Sequence, residues 1–450
     1  MAKNTMVLAK GIEYSLDCYE TKLNNNVLVV GTSGAGKTRS IVKPNILKAT
    51  GSYIVSDPKG NLYKSMKPYL ESQGYMVRKL DFTRPKQSAH YNPFNYIRNT
   101  QDILKMAHMM VTQVETLSND PFWDLASEIL MQALIGYLIE NRPKHEQNLD
   151  SIMKLMRACE IDENNPNVKS PLDRIFDEVK KRNGMTFSVK QYEKFRCAAG
   201  RTLKSILISL YSKISEYEVP EILEMTSSDD IKIAEIGQKK TALFVVVSDT
   251  DRSLDKIANL FFTQAMNELC YYADNMCEGE RLPVPVRFIM DDFATNCCID
   301  QFPRMIASIR SRGISTMLMI QSEAQLRVGY GNDDRTIIGN CDTYVYLGGN
   351  DIDTARQVAR RIDIPESEVL SMPVGTSWIF RRGFKPTEGV NIDYDKFCEE
   401  LGWSENDHTS MEEAEALWGY PKSTTVPEIP SFLRARTNPF ATFDESKRGA

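Results

Sequence analysis

Residues 26–38 read NVLVVGTSGAGKT. An apolar, β-branched run of the kind that forms a buried strand enters the loop GTSGAGKT (31–38), a full match to GxxxxGK[ST], and RSIVKPNIL (39–47) after it opens a helix. Strand, glycine loop and helix in that order form a phosphate-binding loop. Its glycines let the backbone turn tightly enough for successive N–H groups to face one anion. The expected nucleotide-binding residues are Gly31, Thr32, Ser33, Gly34, Ala35, Gly36, Lys37 and Thr38. Lys37 should reach the β- and γ-phosphates, Thr38 should ligate magnesium, and the helix start adds favourable charge. ATP and Mg2+ are the implied cofactors. Pro44 removes one helical hydrogen bond and should kink the helix.

A phosphate loop needs an acid near the γ-phosphate. VRFIMDDFAT (286–295) supplies one at the end of an apolar run. Asp291 is expected to hold magnesium, directly or through water. Two acids after a strand also suit a helix N-terminus, but a complete phosphate loop in the same chain favours the magnesium role. The second acid in such ATPases is usually a glutamate that activates water; here it is Asp292. The lost methylene withdraws the carboxylate by roughly 1 Å, enough to cost about 100-fold in rate.

Further apolar runs lie at 27–31, 52–57, 241–249, 286–292, 314–320 and 342–348. They lack clean alternation, as strands covered on both faces do. Helical stretches separate many of them, so the fold class is α/β with a mostly parallel sheet. Between 97 and 230 the strand signal disappears, and 101–117, 122–141, 147–159, 171–182 and 199–213 show helical spacing. The expected organisation is a nucleotide-binding domain from 1–96 and 231–398, an inserted all-α domain at 97–230, and a tail at 399–450, acidic and then rich in Pro, Ser and Thr.

The 450 residues carry a net charge of −5, so nucleic-acid contact over the whole surface is excluded and any such contact must be local. Residues 167–204 hold ten Lys/Arg against four Asp/Glu and form a local candidate, alongside the plainer reading of a solvated helix face. Nine cysteines without a CxxC pair, with four scattered histidines, give no zinc spacing and read as reduced cytoplasmic thiols. No apolar run of 18 residues occurs, and LASEILMQALIGYLI (125–139) reads as a core helix.

The loop, SDPKGNL (56–62), YNPF (91–94), FIMDDFAT (288–295), MIQSEAQL (319–326) and GNCDTYVYLGGND (339–351) occur together in this order. This set resembles the type IV coupling proteins of conjugation and type IV secretion, over roughly residues 8–395. The resemblance implies a RecA-like P-loop NTPase motor with an inserted helical domain. It implies a homo-hexamer around a channel and a DNA-dependent ATPase that delivers relaxase-bound single-stranded DNA to the secretion channel. Partners would be the relaxosome, the channel ATPases and membrane proteins. It gives Lys37, Thr38 and Asp291 the nucleotide site. Arg310 takes the place of the inter-subunit arginine finger, with Arg312 as the alternative, and Gln321 that of a γ-phosphate sensor or water-orienting residue. Arg201 and Lys204, in AAGRTLKSIL (198–207), become candidates for DNA or relaxosome contact. Most members begin with two membrane-spanning helices. This chain starts just before the motor, so membrane contact is expected through a missing anchor or a separate membrane partner, with the chain at the inner face of the membrane. Two other functions compete with the coupling ATPase. One is a nucleotide-binding receptor with little hydrolysis, favoured by Asp292 and the acidic net charge. The other is a double-stranded DNA translocase of the chromosome-segregation type, against which DPKG and NCDT argue.

Overall fold

The computed structural model describes residues 4–112, 122–160, 168–198, 200–294 and 297–404. Its strands are β1 (Thr5–Ala9), β2 (Ile12–Ser15), β3 (Val27–Val30), β4 (Ser52–Asp57), β5 (Met76–Asp81), β6 (Thr241–Val246), β7 (Val286–Met290), β8 (Ile314–Ile320), β9 (Thr343–Tyr346), β10 (Thr376–Arg381) and β11 (Thr387–Val390). β1 and β2 form a hairpin, and the rest form one sheet in the order β11-β10-β9-β3-β8-β7-β4-β6-β5. From β9 to β5 every pairing is parallel; β10 and β11 add an antiparallel edge. All six apolar runs are strands.

The parallel strands bury both faces. Leu28, Val30, Phe288, Met290, Leu318 and Ile320 enter one core. Val27, Val29, Ile289, Met317 and Met319 enter the other. Such burial removes the polar alternation that marks a half-exposed strand. The strands absent from the sequence reading are short or at edges: β5 carries Arg78 and Lys79, and β11 is mostly exposed.

No strand interrupts the described residues between 97 and 230. Helices span Thr100–Val111, Phe122–Asn141, Leu149–Arg157, Pro171–Asn183, Phe187–Arg196, Gly200–Ile214 and Pro220–Met225. Asn99, Asn148 and Thr186 cap their helices with side-chain oxygens, and Ser170 and Asp173 form a reciprocal capping box. The first expected helix stops at Val111, and 113–117 lie outside the described residues. The helix Phe187–Arg196 was not expected, although Val189, Tyr192 and Phe195 give it a buried face.

Phe122–Asn141 is the one described helix long and apolar enough to cross a membrane. It instead buries Leu130, Leu134, Ile135 and Leu138 inside the insert. A Cβ at Gly136 would come within 3.0 Å of the Phe187 ring, so glycine sets the closeness of those helices. The insert and one sheet face share a continuous core. On the opposite face, helices Asn61–Ser72 and Tyr394–Glu400 pack with Trp403, whose ring meets Tyr69 edge-on at 5.4 Å. Trp403 falls within the stretch read as tail and is buried; residues 405–450 lie outside the described residues.

Candidate active site

The phosphate loop leaves the C-terminal end of β3. Gly31 N–H donates to the Ile320 carbonyl of β8, and Thr32 N–H to the Gly348 carbonyl, so neighbouring strand ends hold the loop on both sides. Gly34 and Gly36 have φ of 80° and 94°, which the loop's turn requires and L side chains rarely adopt. A Cβ on Gly31 would sit 2.9 Å from that of Leu347. Thr32, Ser33 and Gly34 are exposed. Lys37 is buried, with Nζ donating to the Gly31 and Thr32 carbonyls at 2.5 and 3.2 Å. Burial pushes its pKa down, against the opposing pull of Asp292 and Asp291.

The helix after the loop opens as a π-turn, Lys37–Val42, in which the Lys43 N–H reaches the Thr38 carbonyl. An α-helix, Lys43–Leu47, follows with Pro44 in its first turn. Pro44 thus stands in the first turn of an α-helix that follows the wide turn, where its missing donor matters least. Asn45 then ties the helix to β1, exchanging hydrogen bonds with both the N–H and the carbonyl of Val7.

β8 lies between β3 and β7, so the acidic strand end comes beside the loop across one intervening strand. Thr38 Oγ1 donates to Asp291 Oδ2 at 2.8 Å. Asp291 is 7% exposed, and its carboxyl is held above the usual range by burial, with the Thr38 hydrogen bond pulling the other way. A hydroxyl and a carboxylate are the hard oxygen donors that magnesium prefers, so these two residues fit that ion. Asp292 follows in a left-handed backbone, φ 53°, and Ala294 repeats it at φ 65°. The chain therefore turns sharply at the second acid, and Phe293 N–H anchors the turn on the Met319 carbonyl of β8. Gln321 is exposed at the end of β8, next to Gly31.

Two contributions escaped the sequence reading. Asn391 Nδ2 donates to the Ala35 carbonyl at 3.3 Å, bracing the loop from more than 350 positions away. Asp57 ends β4 beside Asp291 and is buried; its Oδ2 accepts the Tyr63 N–H at 2.8 Å and so closes the DPKG turn. An isolated asparagine carried no signal, whereas DPKG did mark Asp57 without naming its role.

A family profile described as type IV secretory system conjugative DNA transfer matches residues 4–363. The chain belongs to this family, the type IV coupling proteins. This coupling protein is 21% identical over 344 residues to the conjugal transfer protein TraG of Rhizobium radiobacter, covering 74% of this chain and 51% of TraG. It is 23% identical over 353 residues to VirD4 of the same species, covering 74% and 47%. The chain thus spans about half the length of the curated relatives it matches. Among solved structures it resembles the conjugative coupling protein TrwBdeltaN70 in complex with sulphate, with a TM-score of 0.64, 15% identity, and coverage of 86% and 89%. It also resembles TrwB in complex with ADP and Mg2+, with a TM-score of 0.60, 15% identity, and coverage of 86% and 89%. At this identity the likeness is one of fold, and it agrees with the RecA-like P-loop sheet and helical insert expected from the sequence.

In this coupling protein Lys37, Thr38, Asp291, Asp292 and Gln321 all lie at the C-terminal ends of the adjacent strands β3, β7 and β8. Arg310 precedes β8 and lies at the opposite, N-terminal ends of the strands, separated by the length of β8, roughly 20 Å. Its Nη2 donates to the Cys18 carbonyl at 2.8 Å. Arg312 is engaged in a two-pronged pair with Asp274, at 2.6 and 2.8 Å. Arg201 and Lys204 are exposed on the helix Gly200–Ile214. Part of the basic excess around them is tied up in the pairs Lys169–Asp177, Lys180–Glu193 and Arg196–Asp173.

Proposed function

We propose that the chain is the motor part of a coupling ATPase, which binds ATP with magnesium and uses its hydrolysis to recruit and move relaxase-bound single-stranded DNA into a type IV secretion channel. The observation that carries this reading is the Thr38–Asp291 contact at 2.8 Å, which joins the phosphate loop to the acidic strand. Magnesium held by Thr38 and Asp291 would neutralise charge on the β- and γ-phosphates. Backbone N–H groups of Ser33, Gly34 and Gly36 would cradle the phosphates, and Lys37 would follow charge onto the γ-phosphate. Asp292 accepts a proton from the attacking water, which Gln321 orients.

Arg310 completes this site from a neighbouring copy, since within its own protomer it lies at the opposite ends of the strands. That requires a ring, and a homo-hexamer at the inner face of the cell membrane is the proposed assembly. Arg201 and Lys204 are proposed as contacts for DNA or the relaxosome. The test is phosphate release with and without single-stranded DNA, alongside DNA transfer by Lys37→Ala. Stimulated turnover in the parent and no transfer in the variant support the motor; normal transfer by Lys37→Ala sinks it.

A second reading, a nucleotide-binding receptor with little hydrolysis, is favoured by Asp292 standing where the longer glutamate is usual. It predicts nucleotide binding with negligible turnover even when DNA is present.

A further inference from the structure

The second residue of β7 is a charge whose burial the neighbouring side chains do not explain. Arg287 lies between Tyr53 of β4 and Ser315 of β8 and is 7% exposed. Its Nε donates to Ser315 Oγ at 3.3 Å, and among the described residues no carboxylate pairs with it. Burial pushes its pKa down, yet a guanidinium stays charged at physiological pH. A buried charge without a counter-charge is strongly unfavourable.

Arg287 borders a pocket of about 230 Å³ at the N-terminal ends of the strands, and Arg281 and Arg310 line the same space. Neither makes an ion pair with an acid among the described residues, although the Asp17 carboxylate lies close enough to Arg281 to feel its charge. Arg310 Nη2 donates to the Cys18 carbonyl. Arg281 Nη1 points at the Arg310 and Ser311 carbonyls, at 3.5 and 3.3 Å, and its guanidinium lies 5.4 Å from the Tyr19 ring. Asp17 is the single acid among the lining residues. Its Oδ1 already accepts the N–H groups of Tyr19 and Glu20, at 2.8 and 3.2 Å.

We propose that this pocket binds a phosphate-type oxyanion, with Arg287 at its floor and Arg281 at its rim; Arg310 lines the same space in the lone protomer and is free to leave it for a neighbouring copy. Guanidinium groups match the fork of a tetrahedral oxyanion with paired N–H donors. The volume suits one such ion rather than a whole nucleotide, whose sites begin at about 300 Å³. The site is separate from the phosphate loop, which lies at the other end of the strands, and it stands whether or not the chain hydrolyses ATP.

The test is calorimetric titration of inorganic phosphate into the full chain, with ADP and Mg2+ saturating the phosphate loop and ionic strength held with chloride. One phosphate per chain is expected, with Kd raised at least about tenfold by Arg287→Met and less by Arg281→Met. Phosphate should raise the melting temperature of the parent and leave that of Arg287→Met unmoved. If Arg287→Met does not fold, Arg281→Met carries the same comparison. The proposal is overturned if the parent binds no phosphate at millimolar concentration, if acetate binds as well as phosphate, or if the signal disappears with Lys37→Ala but survives Arg287→Met.

Discussion

The two ends of β7 can be set side by side. On one face of the strand, Arg287 is buried at the start and Asp291 just past the finish, four residues or about 13 Å apart, with Ile289 between them. At the Asp291 end the charge has company: a threonine hydroxyl, a lysine, a glycine loop and a second aspartate. At the Arg287 end three guanidinium groups gather with Asp17 as the single lining acid, and it faces Arg281 rather than Arg287. The same strands therefore finish at an acidic end, proposed to hold magnesium, and start at a basic end, proposed to hold an anion. The acidic end is assembled from contiguous motifs, the basic one from residues scattered over 281, 287 and 310.

The widest contrast should be in turnover. Lys37→Ala is expected to lower ATP hydrolysis by about 100-fold or more, whereas Arg287→Met, at the other end of the strands, should leave it within twofold or so of the parent. Equal losses in both variants would erase the distinction between the ends. Asp292→Asn asks whether the second acid is the base: hydrolysis should fall by about 100-fold while a fluorescent ATP analogue still binds, and parental turnover would place the base elsewhere.

A smaller effect belongs to stability. Burial holds the Asp291 carboxyl above its ordinary range. The folded state therefore binds more protons than the unfolded one between the ordinary value and the raised one, and stability falls as pH climbs through that window. Asp291→Asn should melt higher than the parent at pH 7 without magnesium, and the gap should close as pH falls below about 4. A lower melting temperature at pH 7 would mean that the carboxylate stabilises the fold instead.

The smallest expected effect lies in the insert, away from both ends. His108 hydrogen-bonds Glu128 at 2.6 Å, which raises its pKa. That stabilisation is complete below the ordinary histidine value and is lost as pH rises through the raised one. The pair is half-exposed, so His108→Gln should cost under about 1 kcal/mol at pH 6 and nothing at pH 9, read by urea melts at the two pH values.

Much of this was legible in the residues. GTSGAGKT and FIMDD announce their chemistry because phosphate and magnesium demand particular atoms at fixed spacing along one segment. The buried strands were legible because two covered faces leave continuous apolar runs. The edge strands β5 and β11, and β10 beside the latter, were not, since partial burial mixes charges into them. The arginine pocket was silent for another reason: Arg287 sits in a run that reads as pure core, and only the parallel register brings it beside Ser315 and opens it toward Arg281 and Arg310. Asn391 is likewise placed by topology, not by any neighbour in sequence.

The left-handed turn at Asp292 bears on how such a site can be re-engineered. That backbone region tolerates aspartate and asparagine far better than longer side chains. Side-chain length and loop torsion are thus matched, and they can be exchanged only together. Asp292→Glu alone would carry the longer acid on a turn shaped for the shorter one. Exchanging residues 291–294 together, acid and turn at once, is the change that respects the match.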